Sequence, residues 1–127
     1  MAEELRYEYQ WNRQQPKSIF REAEFVQMAT LNAAKLAGVG DKIGVLAAGY
    51  AADITVFARR GESALMALLD AVPGSVRLVV VGGKPMLGDS NLMQKLLPAK
   101  KLETATVCGF RNSLNIEGDT DRKLGPR

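Results

Sequence analysis

The chain has 127 residues, 46% of them hydrophobic and 24% charged, which sets one domain at most, or part of a larger one. Its 17 Lys and Arg against 14 Asp and Glu leave a formal charge of +3, which does not point to a nucleic-acid binder. It has no histidine and one cysteine, which excludes Ser-His-Asp and Cys-His catalysis, histidine or thiolate zinc sites and an internal disulfide.

In chain order, residues Ala2 to Gln15 read as a helix, with Leu5, Tyr9 and Asn12 on one stripe and Trp11 beside it. Glu3 and Glu4 suit its first turn, and Pro16 stops it. Tyr7, Tyr9 and Trp11 are candidates for an aromatic binding face, but packing against a neighbour is the favoured reading. Ser18 is the expected N-cap of the next helix. From Arg21 to Leu36 the apolar positions Phe25, Met28, Ala29, Ala33 and Leu36 recur at three or four residues. Thr30 is a point where this helix could divide in two. Ala29, Ala33, Ala34 and Ala37 form a small face that permits close approach, and Gly38 and Gly40 end the helix.

Beyond Asp41 the pattern changes. Gly44 and Gly49 punctuate a segment that leads into a β-rich run at Ile54, Val56 and Phe57. Residues Ser63 to Val72 read as a short helix capped by Ser63, followed by a turn at Pro73-Gly74. Val76–Val81 and Lys84–Leu87 flank Gly82-Gly83, the pattern of a two-residue type I′ hairpin. Pro85 makes the second of these strands an expected edge, or one paired on a single side. Asp89-Ser90-Asn91 reads as a loop, Leu92–Leu97 as a helical turn or two, and Glu103–Cys108 and Leu114–Ile116 as strands. The polar tail Glu117–Arg127 is expected to be loose.

No apolar run approaches the roughly 18 residues that span a bilayer. The acidic start Met1-Ala2-Glu3-Glu4 lacks a secretory apolar segment, and the single cysteine fits a reducing compartment. The expectation is a cytoplasmic protein with neither membrane nor nucleic acid as partner. A carboxylate-only Mg or Ca site stays open, although the acids show no EF-hand spacing and no tight cluster.

Two stretches carry a resemblance. Thr30, Asn32 and Ala34 fit a T-x-N-x-A motif, and Gly44, Leu46, Gly49, Ala52 and Asp53 fit G-x-L-x-x-G-x-x-A-D. Val76 to Lys84 fits V-x-x-V-x-V-x-G-K. Together they resemble the C-terminal region of the amidohydrolase superfamily over about residues 2 to 116, nearest to its cytosine-deaminase and chlorohydrolase-like members. The resemblance implies a (β/α)8 barrel holding one or two divalent metals, zinc or iron, with a small β-sandwich built from both chain ends. The ligands in such enzymes are an H-x-H pair, later histidines and an aspartate after the eighth strand, which together activate water. This chain resembles only the part of such an enzyme beyond that strand. The metal aspartate would precede Met1, and no aspartate here carries over to it. The resemblance therefore assigns this chain no catalytic, cofactor-binding or metal residue.

The fold expectation is α+β: N-terminal helices from the end of the barrel, then a small, mostly antiparallel sheet with one helix inserted between strands. Residues 1–40 would be the last barrel helices, 41–116 the C-terminal part of the composite sandwich, and 117–127 the tail. Met1 falls where an internal residue sits in the family pattern, so a true start and a truncation both stay open.

Individual residues have structural readings beside functional ones. Gly44 and Gly49 supply turns that side chains would crowd. Leu46 is expected to seal the sandwich core, and Ala52 to be small because another backbone passes close. Asp53 is a candidate catalytic acid, but an Asx-like acceptor of backbone N–H groups in its turn is favoured. Cys108 is a candidate nucleophile, with a buried core thiol favoured. Gly38-Val39-Gly40 is read as a helix terminator rather than half a dinucleotide motif, and Gly82-Gly83 as a hairpin turn rather than a phosphate cradle. Arg59-Arg60 and Lys100-Lys101 are read as solvated loop charges rather than contacts to a polyanion, since each is only a pair. Glu22 and Glu24, two apart on a helix, do not share a face and form no carboxylate pair.

Two functions fit these residues. One is the C-terminal segment of a metal-dependent hydrolase acting on C–N or C–Cl bonds of small heterocycles. Inactive alone, it would need the missing barrel portion. The other is a stand-alone, non-catalytic module that self-associates or docks on a separate barrel subunit through the apolar helix face around Phe25 to Leu36.

Overall fold

The computed structural model describes residues 2–59 and 63–116. Helix α1 spans Ala2–Gln14, with Glu3 and Glu4 in its first turn and Arg13 in its last, charges that complement the helix dipole. The stripe read in the sequence is its inner face: Tyr9 and Asn12 are buried. Asn12 is 2% exposed, and both ends of its amide are hydrogen-bonded. Its amide donates to the Phe20 carbonyl at 2.9 Å, and its Oδ1 accepts the Ile19 and Phe20 N–H groups at 2.9 and 3.0 Å. One side chain thus folds the connection back over the helix that it leaves.

The next helix starts at Glu22, not near Ser18. Ser18 is exposed in the connection, and Arg21 occupies the cap position in extended conformation. Here the acid caps in reverse: the Glu24 carboxylate accepts the Arg21 N–H at 2.7 Å. Three segments then run on, α2 (Glu22–Gln27), a π-helical turn (Met28–Asn32) and α3 (Ala33–Leu36). Thr30 does not divide them. Its hydroxyl donates to the Val26 carbonyl at 2.7 Å, a bond that bends a helix without ending it. The rod ends as a Schellman motif. Gly38 adopts φ +73° and donates to Lys35 O, while Val39 donates to Ala34 O.

Five antiparallel strands form one sheet in the order β1-β2-β3-β5-β4. They are β1 (Ile54–Phe57), β2 (Val76–Val81), β3 (Lys84–Asp89), β4 (Leu102–Val107) and β5 (Phe110–Asn115). Helix α4 (Ala64–Leu69) lies between β1 and β2 in sequence, as expected, with the Ser63 hydroxyl accepting from Leu65 and Met66 N–H. A second insertion, α5 (Ser90–Leu96), begins earlier than the residue types suggest: Ser90 and Asn91 are its first residues, so the loop read at Asp89-Ser90-Asn91 does not form. It packs on β3, β4 and β5 and buries Met93 completely. Tertiary packing of Met93 outweighs the turn preference of Asp, Ser and Asn.

Gly82 and Gly83 take φ +55° and +79°, which places the β2–β3 connection in the expected type I′ turn. Strand β3 is not an edge, contrary to the reading of Pro85, because it pairs with β2 on one side and β5 on the other. The β5 ladder reaches only Leu87, Gly88 and Asp89. Pro85 therefore lies past its end, where no strand N–H is needed, and its carbonyl accepts from the Asn115 amide at 3.0 Å. The β4–β5 turn is Cys108-Gly109, both with positive φ (49° and 80°).

The helical core is Tyr9, Phe25 and Leu69, with Leu5 and Met66 packed against it. The Tyr9 and Phe25 rings meet edge to face at 5.7 Å, and Phe20 meets Phe25 at 5.8 Å. The Tyr9 hydroxyl donates to Glu22 and lies 2.9 Å from the Met66 sulfur. Among the described residues, no buried side-chain polar atom lacks a partner. No described helix is long and apolar enough to cross a membrane. The tail from Glu117, Arg60 and Met1 lie outside the described residues.

Candidate functional site

The rod from Glu22 to Leu36 shows two faces. One enters the Tyr9–Phe25–Leu69 core. The other borders an open groove of about 690 Å³ between the rod and β1. Val26, Ala29 and Ala33 line it on the helix side; Ile43, Leu46 and Phe57 line it opposite. Polar side chains reach it from Thr30, Asp53 and Thr55, and among the described residues Asp53 is the one ionisable group in the lining.

The two motifs of the sequence meet here. Gly44, at φ +96°, runs against the rod so closely that a Cβ there would lie 2.9 Å from Ala34 Cβ and 3.1 Å from Leu31 Cα. Only glycine meets both the left-handed backbone and the contact. Alanine at 34, buried, supplies the matching small surface. Gly49, at φ +88°, has open space around it, so its requirement is the turn alone.

Asp53 is a structural acceptor, as favoured, but its partner is distant in sequence. Its Oδ1 accepts the Gly82 N–H at 2.7 Å, and Gly83 N–H donates to Ala52 O at 3.0 Å. The second bond is the close backbone expected at Ala52. Together they tie the start of β1 to the β2–β3 turn. Asp53 therefore accepts across the sheet rather than in its own turn. Its carboxylate is engaged, and among the described residues the lining holds no second ionisable group to pair with it in acid–base chemistry.

Leu46 corrects the sequence reading. It is 77% exposed and seals no core among the described residues. Leu36, expected on the apolar stripe, is 92% exposed, and Met28 also faces solvent. The sequence pattern marked an apolar surface correctly, but nothing described covers this side of it. Covering an open apolar surface of this composition would remove it from water, which is favourable.

The remaining candidates disperse. Cys108 is exposed at the tip of the β4–β5 turn, not buried, because the hairpin needs a left-handed residue there. Glu22 accepts from Tyr9, and Glu24 caps α2, so the two carboxylates serve separate purposes. The bond from Arg21 N–H, and to a lesser degree its charge, hold the Glu24 carboxyl below the usual range. Burial, then the Glu22 contact, push the Tyr9 phenol above it. Tyr9 is the packing residue expected of the aromatic trio; Tyr7 and Trp11 are exposed. Gly38-Val39-Gly40 terminates the rod and Gly82-Gly83 turns the hairpin, as read. Arg59, Lys100 and Lys101 lie in none of the groove's walls.

A polar cluster at the far end of the sheet has no signal in the sequence. The Arg77 guanidinium lies 3.3 Å from Asp89 and 5.5 Å from the Phe110 ring centre, and that ring sits against Gly74. Counting outward from the turn places Arg77 opposite Gly88. The register shift between Val79 and Val80 puts it opposite Asp89 instead. A bulge of this kind leaves no mark in the residue pattern. Among the described residues, no three of His, Cys, Asp and Glu converge as metal ligands.

Comparison with known proteins adds one match. The profile of the amidohydrolase family covers residues 1–86. No curated protein and no solved structure matches the chain. The matched stretch holds α1, the rod, the groove, β1 and the Gly82-Gly83 turn, and stops within β3, short of the residue 116 reached by the resemblance. More than half of the chain, including both motifs that meet at Gly44, follows the family pattern, and the chain belongs to the amidohydrolase family.

Proposed function

We propose that this chain is the C-terminal segment of a metal-dependent amidohydrolase of the cytosine-deaminase or chlorohydrolase-like kind. Such an enzyme hydrolyses C–N or C–Cl bonds of small heterocycles. Residues 1–40 close the barrel as its last helices, and residues 41–116 contribute to a composite sandwich. The observation that carries the reading is the apolar groove and the bare rod face beside it, both within the family-matched residues. Burial of Leu36 and Leu46 by a barrel portion would remove that surface from water, at about 25 cal/mol per Å².

A zinc or iron centre belongs to the parent reading, and the residues present do not fit it. The chain has no histidine, its one cysteine is an exposed turn residue, and its described acids do not converge. No hydrolytic step is assigned to residues of this chain. Their role is to bury the barrel's end and to hold the sheet beside it. The partner is the barrel portion, the setting is cytoplasmic, and neither membrane nor nucleic acid takes part.

The test is the DNA immediately upstream of the Met1 codon. An in-frame barrel with an H-x-H pair, later histidines and a late aspartate is the expected finding, together with hydrolase activity and stoichiometric metal in the longer product. A stop codon with no barrel nearby would overturn the reading. So would stoichiometric, tightly bound zinc in the 127-residue chain itself.

A second reading has its own observation. Every buried side-chain polar atom among the described residues is satisfied, and the helical core closes without outside help. A stand-alone, non-catalytic module that covers its groove by self-association fits that fact. Sedimentation separates the two, since this module forms oligomers as concentration rises. A monomer at high concentration would count against it.

A further inference from the structure

We draw no further inference here: the strongest candidate, the apolar groove between the rod at residues 22–36 and the edge strand β1, belongs to the site already described, and nothing in the structure shows what covers it.

Discussion

Two regions of one helical rod, its start and its end, differ more in burial than in residue type. Phe25 and Leu36 are both large apolar residues placed by the same periodicity, yet one is 3% exposed and the other 92%. Phe25 has α1 and α4 to pack on: Tyr9 comes from α1, whose following connection Asn12 folds back, and Leu69 from α4, which Ser63 caps. Leu36, at the other end of the rod, is left open to water among the described residues. Apolar periodicity therefore reports that a face is suited to burial. Whether it is buried depends on a second element being present.

The sharpest way to break this comparison is to remove the apolar side chain at both positions. Phe25→Ala is expected to cost about 3–5 kcal/mol of stability, and Leu36→Lys to stay within about 0.5 kcal/mol, read by chemical denaturation. A Leu36 loss above about 2 kcal/mol would mean that something covers the open face.

Next in size are the two glycines on the loop that faces the rod. Gly44→Ala should destabilise by about 2–4 kcal/mol, since left-handed backbone and the clash with Ala34 add. Gly49→Ala should cost about 1–2 kcal/mol, for the backbone alone. Equal losses would show that the rod does not hold its close contact with Gly44.

A smaller effect is expected at Asp53, which ties β1 to the hairpin turn. Asp53→Ala should lower stability by about 1 kcal/mol, and Asp53→Asn should recover most of it, because an amide oxygen still accepts from Gly82 N–H. Faster hydrogen exchange at Gly82 in the alanine variant would check the same bond. Failure of asparagine to recover stability would show that charge, rather than acceptance, matters there.

The smallest effect at neutral pH concerns the closed core. The Tyr9 phenol is raised above its ordinary value of 10.0 by burial and by Glu22, so the folded state favours the protonated ring. Its contribution is complete below that value and is lost as pH rises through the folded pKa. Denaturation midpoints in alkaline buffers should fall more steeply for the native chain than for Tyr9→Phe. Parallel slopes would remove Tyr9 from that account.

Much of the local structure is legible in the residues. Gly82-Gly83 announces its turn because positive φ at two successive positions is a requirement few residues meet. Ser63 announces its helix because its hydroxyl is placed to take the first free N–H groups. The amidohydrolase pattern is legible for the same kind of reason, since Gly44 and Ala34 answer a close contact that larger residues would prevent. Where reading fails, a distant partner decides. Met93 draws Ser90 and Asn91 into α5, and the β4–β5 turn places Cys108 in solvent. The pairing of Arg77 with Asp89 depends on a register shift.

The sequence by itself determined the α+β character, the Ser63 cap and the Gly38 terminator, the hairpin glycines and the membership in the amidohydrolase family. These rest on backbone angles and on contacts of neighbouring residues, which residue types encode directly. Only the tertiary structure decided the five-strand order, the interior place of β3, the reach of Asp53 to Gly82, and which apolar residues stay open to water. Each of those depends on pairing between segments far apart in sequence, and a residue's own chemistry does not name its distant partner.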